Sequence, residues 1–209
     1  MKRTPSLLLR AIAALLSYPD AELRAALPEI AEAIQKTRFL NKQCKQKLVA
    51  LAEDIAALDS IEAEIRYVEL FDHGRATSLN LFEHVYSDGR ERGPAMLELR
   101  QRYRAAGMIQ AGNELPDHLP LLLEYLSCRD KAEARETLSE IAPILRSVGN
   151  TLLSRHSPYA AAMASLLEIG KEKGLDAGMP APPPEDIDSE YQDKPAFSPP
   201  EPQYPRTTA

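Results

Sequence analysis

Cysteine is scarce in this sequence of 209 residues. Cys44 and Cys128 are the only two, and neither belongs to a CxxC pair, so the pattern argues against a structural zinc site. Three histidines, His73, His84 and His118, are separated by 11 and 34 residues, which is not a metal-ligand spacing. We expect no metal and no cofactor, with a carrier built on these three histidines as a minor alternative.

An excess of basic residues is also lacking. Residues 1–175 hold 24 acidic and 23 basic residues, and the isoelectric point of the whole chain is about 5.3. Proteins that bind nucleic acids commonly carry a basic patch or have a high isoelectric point. We therefore expect no nucleic-acid partner.

Long apolar runs are absent. No stretch approaches the roughly 18 apolar residues of a membrane-spanning helix. Near the start, Arg10 interrupts the apolar run that follows Lys2 and Arg3, and no small-residue cleavage site comes after it. We expect a cytoplasmic protein that does not insert directly into a membrane.

The common catalytic motifs are missing as well. The sequence has no GxGxxG after a strand, no phosphate-binding GxxxxGK[ST], no GxSxG and no HExxH. Glu83 and His84, like Asp117 and His118, are sequence neighbours, and neighbours on a helix project roughly 100° apart. Neither pair is a ready-made proton relay, and nothing favours a paired-carboxylate hydrolase. We expect that the chain is not an enzyme.

What the sequence does have is helical spacing of apolar residues almost throughout. Cys44, Leu48, Leu51, Ile55 and Leu58, for example, follow one another at steps of three and four. No stretch alternates with a period of two for long enough to form a strand. We predict an all-α protein, a single compact domain of about eight to ten helices.

Polar residues mark where these helices begin. An Asp or Asn ahead of an apolar-periodic segment predicts an N-cap, because its side chain accepts a hydrogen bond from a free amide of the first turn. The candidates are Asp20, Asn41, Asp59, Asp117 and Asp130. In the segment that Asp59 opens, the spacing places four apolar residues on one side of the helix: Ile61, Ile65, Val68 and Phe71.

Three prolines fall within or beside helical patterns. A proline removes a backbone hydrogen bond and kinks or ends a helix. Pro28 therefore predicts a kink or two short helices, and Pro143 a bend in one long helix over residues 131–153. Pro94 predicts the start of a helix over residues 95–106.

The C-terminal residues differ in composition from the rest. Residues 176–209 contain nine of the 17 prolines and carry seven acidic residues against two basic ones. Such a composition cannot form a buried core. We predict a helical domain over residues 1–175 and a disordered, acidic, Pro-rich tail over residues 176–209 that is dispensable for folding.

Aromatic residues gather in the middle of the chain. Residues 67–126 contain four of the eight tyrosines, two of the four phenylalanines and three of the four histidines. A core accounts for most of them, but polar-tipped aromatic rings are also what a peptide groove offers. In the same region Pro116 and Asp117 form a turn into a helix that begins near His118. For Asp117, capping alone and a peptide contact stay equally open.

Four stretches of this region resemble the NarJ family, the assembly chaperones of respiratory nitrate reductase within the TorD-like group of molybdoenzyme chaperones. They are residues 67–72 (YVELFD), 82–84 (FEH), 92–96 (RGPAM) and 115–119 (LPDHL). The Pro-Asp-His turn is shared with the wider group, whereas FEH and RGPAM point more narrowly to NarJ. The likeness extends from residues 15–19 (LLSYP) to the helix around residues 138–153.

The resemblance implies a TorD-like domain that binds the N-terminal tail of the nitrate reductase catalytic subunit. Binding would delay membrane attachment while the molybdenum cofactor and an iron–sulfur cluster are inserted, with molybdenum cofactor biosynthesis proteins as further partners. Carried over by position, it makes Asp117 and His118 the foremost peptide-contacting pair. On grounds of charge, we expect Glu114 and Asp117 near the rim of a groove, where acids suit basic residues of the client. The other candidates are Tyr67, Leu70, Phe71, Glu83, His84, Met96 and Tyr103. The alternative is a helical adaptor that binds a partner through its acidic tail.

Overall fold

The computed structural model describes residues 6–86, 89–109, 112–176 and 178. Within these residues there are nine α-helices and no strand, which confirms the predicted all-α domain. None of the described helices is long and apolar enough to cross a bilayer. The helices are α1 (Ser6–Leu15), α2 (Ala21–Lys36), α3 (Lys42–Ala57), α4 (Ser60–Phe71), α5 (Gly89–Ala105), α6 (Leu119–Ser127), α7 (Lys131–Glu140), α8 (Ala142–Ser154) and α9 (Ala160–Gly170).

Two short 3-10 turns, Arg75–Thr77 and Leu81–His84, connect α4 to α5. They occupy the segment that carries the FEH stretch. The first of them packs against α8 and α4, and it also contacts the second. This connection is therefore held to the body of the domain.

Four of the five predicted N-caps are confirmed. The side chains of these four residues accept hydrogen bonds from amides of the first helical turn at 2.8–3.0 Å. Each satisfies a backbone donor that has no partner inside its helix. They are Asp20 for α2, Asn41 for α3, Asp59 for α4 and Asp130 for α7.

Pro94 and Pro143 behave differently from what their positions predict, and for Pro28 the alternative of two short helices is wrong. α2 runs through Pro28 as one helix, and α5 begins at Gly89, so Pro94 lies inside it. The long helix expected over residues 131–153 is two helices, joined at Ile141, with Pro143 in the first turn of α8. A proline in the first turn loses no helical hydrogen bond, so Pro143 begins a helix instead of bending one.

The core is built around α1 and α9. α1 packs against α6 and α2, and its side chains Leu9, Ile12 and Leu15 are fully buried. α9 packs against α8, α7 and α3, and it buries Met163 and Leu166 completely. α9 is buried on nearly all sides, so it lacks the polar face of an amphipathic helix, whereas α1 keeps an exposed side at Leu7 and Arg10.

The orientation of α4 differs from the prediction. Ala63, Tyr67 and Phe71 are buried, whereas the side chains of Ile61 and Ile65 are 68% and 53% exposed. The partners of the two aromatic residues decide this. Tyr67 and Phe71 form a ladder of ring contacts with centroid separations of 4.9–5.6 Å, which runs from Tyr18 on one side to Tyr159 on the other. Turning α4 to bury the isoleucines would break that ladder.

The end of the described chain is attached to α8. Leu175 packs against the core, and the backbone N–H of Asp176 donates to the side-chain oxygen of Asn150 at 2.8 Å. Asp176, the first residue of the predicted tail, therefore contacts the helical domain. The prediction of disorder for the tail concerns residues that, apart from Asp176 and Gly178, lie outside the described part of the chain.

Candidate peptide-binding site

Two distant segments of the chain meet where residues 79–82 lie against residues 117–119, an arrangement called the crossing below. The N–H of Leu119 donates to the carbonyl of Leu79 at 2.8 Å, and the N–H of Leu81 donates to the carbonyl of Asp117 at 3.1 Å. Asn80 and His118 form an isolated antiparallel bridge between them. The FEH and PDH stretches, 35 residues apart between Phe82 and Asp117, are thus brought side by side.

Asp117 holds the crossing together with its side chain. Its side chain is fully buried, and one carboxylate oxygen accepts a hydrogen bond from the N–H of Phe82 at 2.8 Å. The other oxygen has no hydrogen-bond partner among the described residues. Burial raises the pKa of this carboxyl, and the Phe82 amide and the charge of Arg92 oppose that rise.

The prediction that Asp117 caps the following helix is wrong. His118 occupies the N-cap position of α6, and no side chain makes a cap hydrogen bond there. The aspartate instead satisfies an amide of the neighbouring connection, which a sequence pattern cannot distinguish from capping. In the structure one carboxylate oxygen of Asp117 bonds to Phe82 of the same chain. A contact between Asp117 and a peptide stays a prediction.

His118 and Glu114 are neighbouring polar groups of the turn, and of the two only Glu114 is well exposed. The imidazole of His118 is 15% exposed, and its Nδ1 lies 3.7 Å from a carboxylate oxygen of Glu114, whose side chain is 66% exposed. Burial lowers the pKa of His118, although the charges of Glu114, Asp117 and Asp72 oppose this. A neutral imidazole presents one donor and one acceptor, so His118 is suited to a polar contact.

Glu83 and His84 belong to the other side of the crossing. A carboxylate oxygen of Glu83 lies 3.4 Å from the guanidinium of Arg92 on α5 and 3.4 Å from the side-chain nitrogen of Asn80. The Nε2 atom of His84 is 2.9 Å from the carbonyl oxygen of Ser78. Both side chains are partly buried. Glu83 joins the second 3-10 turn to α5, and His84 joins that turn to the residues before it.

Three of the predicted aromatic contacts lie in the core. Tyr67, Phe71 and Tyr103 are 5%, 5% and 2% exposed. The hydroxyl of Tyr67 donates to the carbonyl of Leu16 at 3.0 Å, and that of Tyr103 donates to the carbonyl of Pro116 at 2.8 Å. Burial accordingly raises the pKa of both phenols. Tyr103 therefore positions the turn, whereas Tyr67 and Phe71 contact other parts of the core.

Leu70 and Met96 are both partly buried, Leu70 against the core and Met96 on α5. The structure therefore brings five of the ten predicted residues to the crossing and places Tyr103 below it. The five are Glu83, His84, Glu114, Asp117 and His118. Across the part of the chain that is described, no cluster of three or more His, Cys, Asp or Glu side chains could hold a metal ion.

The sequence patterns did not predict one feature of the surface, a groove between α1 and α2. A groove of about 890 Å³ runs between α1 and α2, with apolar residues along its floor and acidic residues beside them. Its apolar members, such as Leu7 and Ile30, follow the same spacing as core residues do. The residue pattern of a single helix cannot predict a groove, because the space exists only once two helices are packed together.

Known proteins resemble this chain over the region that contains the crossing. A family model described as nitrate reductase delta subunit matches residues 18–165. The nitrate reductase molybdenum cofactor assembly chaperone NarJ of Escherichia coli is 44% identical over 158 residues, which is 76% of this chain and 67% of that protein. The probable chaperone of the same name from Bacillus subtilis is 31% identical over 175 residues, covering 82% of this chain and 94% of the relative.

A further relative is the probable nitrate reductase molybdenum cofactor assembly chaperone NarW of Escherichia coli, 37% identical over 162 residues. These relatives are chaperones and not catalysts, in agreement with the expectation that the chain is not an enzyme. Matches over most of the chain at these identities establish both its fold and its family. The chain belongs to the nitrate reductase delta subunit family, among its NarJ assembly chaperones.

Proposed function

We propose that this chain is a system-specific chaperone that binds the N-terminal tail of the catalytic subunit of a respiratory nitrate reductase. By holding that tail in the cytoplasm it delays membrane attachment while the molybdenum cofactor and an iron–sulfur cluster are inserted. The observation that carries the proposal is the 44% identity to the chaperone NarJ over 76% of the chain. The family match spans residues 18–165, which include both sides of the crossing.

The chemistry of the crossing agrees with a peptide ligand. Glu114 is exposed on one segment beside the mostly buried His118, and the partly buried Glu83 lies on the other. Acidic side chains at a rim attract the basic residues of a client and align it, while an apolar face of the client supplies most of the affinity. A chaperone must also release its client, which suits a binding free energy of about −8 to −12 kcal/mol, micromolar to nanomolar.

Substitutions at Glu114 and His118 test this site. We expect His118→Ala and Glu114→Gln each to weaken binding of a synthetic peptide with the N-terminal sequence of the catalytic subunit. Losing a hydrogen bond to a charged group costs about 1.5–3 kcal/mol, which corresponds to a roughly ten- to hundredfold higher Kd. Isothermal titration calorimetry measures the Kd, and thermal melts of each variant separate binding from folding.

Glu136→Gln is the matched control for Glu114→Gln. Glu136 is an exposed residue of α7, so this variant changes the net charge equally without touching the crossing. We expect it to bind like the parent. If the parent binds the peptide and both crossing variants do so equally well, the proposed site is wrong while the function stands. A parent chain that does not bind the peptide contradicts the function itself.

The alternative, an adaptor acting through its acidic tail, is tested by truncation. A chain that ends at Gly178 retains Leu175 and the bond between Asp176 and Asn150. We expect it to melt within a few degrees of the full chain and to bind the peptide with unchanged Kd, because residues 179–209 have too few apolar side chains for a core. Loss of peptide binding after truncation would instead favour the adaptor.

A further inference from the structure

Basic residues are concentrated between the end of α2 and the first turns of α3. Residues 36–47 contain five basic residues and no acidic one, although residues 1–175 are almost neutral as a whole. Lys131 at the start of α7 joins them, because its ammonium lies 5.6 Å from the centroid of the Phe39 ring. The six residues, called the basic surface below, are Lys36, Arg38, Lys42, Lys45, Lys47 and Lys131.

Most of these charges have no ionic partner within the described chain. Of the six residues, only Lys36 forms an ion pair with a described residue, and that residue is Glu32 on the same helix. Four of the other five are exposed, and Lys45 is partly buried. The nearby carboxylate of Glu168 is already occupied, since the backbone N–H and the side-chain nitrogen of Asn41 donate to it at 2.6 and 3.0 Å. The basic surface therefore offers five charges to a partner.

The C-terminal part of the sequence contains a run of the opposite charge. Residues 185–193 (EDIDSEYQD) hold five acidic residues and no basic one. Blocks of like charge in a terminal tail are commonly interaction segments. Five acidic residues within nine positions match, in number and in density, the five basic residues of 36–47. Such complementarity favours one pairing over others.

The acidic run begins within reach of the basic surface. The N–H of Asp176 is bonded to Asn150 on α8, and Glu185 follows nine residues later, a length of chain that spans up to about 30 Å. Glu168, whose carboxylate holds Asn41, precedes Asp176 by eight residues, so the two lie no more than about 30 Å apart. The chain between Asp176 and the run is therefore long enough.

We propose that the basic surface binds residues 185–193 of the same chain, an intramolecular contact that shields this surface from other anionic molecules. Because the two partners belong to one chain, their effective concentration is about millimolar, and a weak contact suffices to keep them together. A contact of this strength agrees with the small change in melting temperature expected for a chain that ends at Gly178. The contact is separate from the crossing and does not depend on which client the crossing binds.

A second basic stretch, at the end of α5, is a poorer partner for the run. Of its residues Arg100, Arg102 and Arg104, the middle one is already paired with Glu98 at 2.8 Å. The other two are exposed and offer two charges, where the basic surface offers five. Arg100 and Arg104 therefore serve as the matched control.

A nitroxide spin label on the acidic run locates it in the full chain. Cys44→Ala and Cys128→Ala remove the two native thiols, and Ser189→Cys carries the label. In amide NMR spectra at about 50 mM salt, we expect the label to broaden the signals of residues 36–47 at least threefold more than those of residues 100–104. At about 500 mM salt this difference is expected to disappear, because screening then limits charge attraction to a few ångströms.

Charge reversal on the two basic stretches completes the test. In the labelled chain, Lys42→Glu with Lys45→Glu is expected to reduce the broadening of residues 36–47 at least threefold. Arg100→Glu with Arg104→Glu changes the net charge equally and is expected to alter that broadening less than twofold.

A second measurement needs neither a label nor the removal of a cysteine. In the otherwise unchanged chain, Asp186→Asn with Asp188→Asn removes two charges from the acidic run. We expect the amide signals of residues 36–47 to shift in this variant and those of residues 100–104 to stay in place. Shifts at residues 36–47 alone support the contact.

Each of four other results would overturn the proposal. Equal broadening of residues 36–47 and 100–104 means that the run has no preferred partner, and unchanged signals in the asparagine variant mean that its acids make no contact. Broadening of an isotope-labelled chain by a separate, spin-labelled chain in a mixed sample identifies a second copy as the source. Cosedimentation of the full chain with phosphatidylglycerol vesicles at about 150 mM salt, lost on reversal of Lys42 and Lys45, identifies a membrane as the partner.

Discussion

Replacing Asp117 with alanine is expected to lower the free energy of unfolding by about 1–3 kcal/mol. The substitution leaves the N–H of Phe82 without its acceptor in a buried site, and an unsatisfied buried donor costs about that much. The loss is not local, since the same bond joins the connection before α5 to the turn before α6. Urea unfolding followed by circular dichroism measures the change.

Asp117→Asn separates the hydrogen bond from the charge. The amide oxygen still accepts from Phe82, so we expect this variant to unfold within about 1 kcal/mol of the parent at neutral pH. Equal destabilisation by alanine and asparagine would show that the bond to Phe82 contributes little. Peptide titration of the asparagine variant then asks whether the carboxylate reaches a client, as the sequence predicts.

The difference in stability between the parent and Asp117→Asn is expected to depend on pH, with a definite sign. Burial raises the pKa of Asp117 in the folded chain above its ordinary value of 3.8, so folding favours the protonated carboxyl. The resulting stability is fully present below the unfolded pKa and is lost as the pH rises through the folded pKa. We expect the parent to gain stability relative to Asp117→Asn as the pH is lowered toward 4. A pH-independent difference would contradict the raised pKa.

Gly149→Val is the second substitution with a large expected effect. A Cβ atom at this position in α8 would come within 2.9 Å of the Cβ of Met163 on α9 and within 2.5 Å of a side-chain carbon of Leu175. The end of Leu175 can move, but the Cβ of Met163 is fixed to the helix backbone. We expect overpacking to destabilise the chain by about 2–3 kcal/mol, measured by urea unfolding.

Gly93→Ala provides the matched control, because a Cβ there meets nothing within 4 Å. Alanine is favoured over glycine inside a helix by roughly 0.5–1 kcal/mol, so this variant is expected to be slightly more stable than the parent. The two substitutions are therefore expected to change the stability of the chain in opposite directions. If Gly149→Val unfolds at the same urea concentration as the parent, α8 and α9 are not as close as described.

The helices themselves could be predicted from the sequence because their causes are local. Steps of three and four between apolar residues, with Asp20, Asn41, Asp59 and Asp130 ahead of them, predict helices that the structure confirms. The same polar residues cap regardless of what the helix packs against. Proline was less informative, since its effect depends on which turn of a helix it occupies.

The candidate site was predicted only in part. Sequence likeness identified the residues of the crossing, but it could not say which of them are buried. Tyr67 and Phe71 proved to be members of a ring ladder, and Tyr103 a support beneath the turn. Aromatic side chains with polar tips suit both a core and a groove, so burial is decided by their neighbours.

By itself, the sequence determined that this chain is helical, where its capped helices begin, and which family it belongs to. Periodicity and capping act within a few residues, and identity to relatives needs no coordinates. Only the tertiary structure decided that Asp117 bonds to Phe82, that Ile61 on α4 is exposed, and that a groove opens between α1 and α2. Those features depend on contacts between segments far apart in the chain, and a local pattern carries no information about which segments meet.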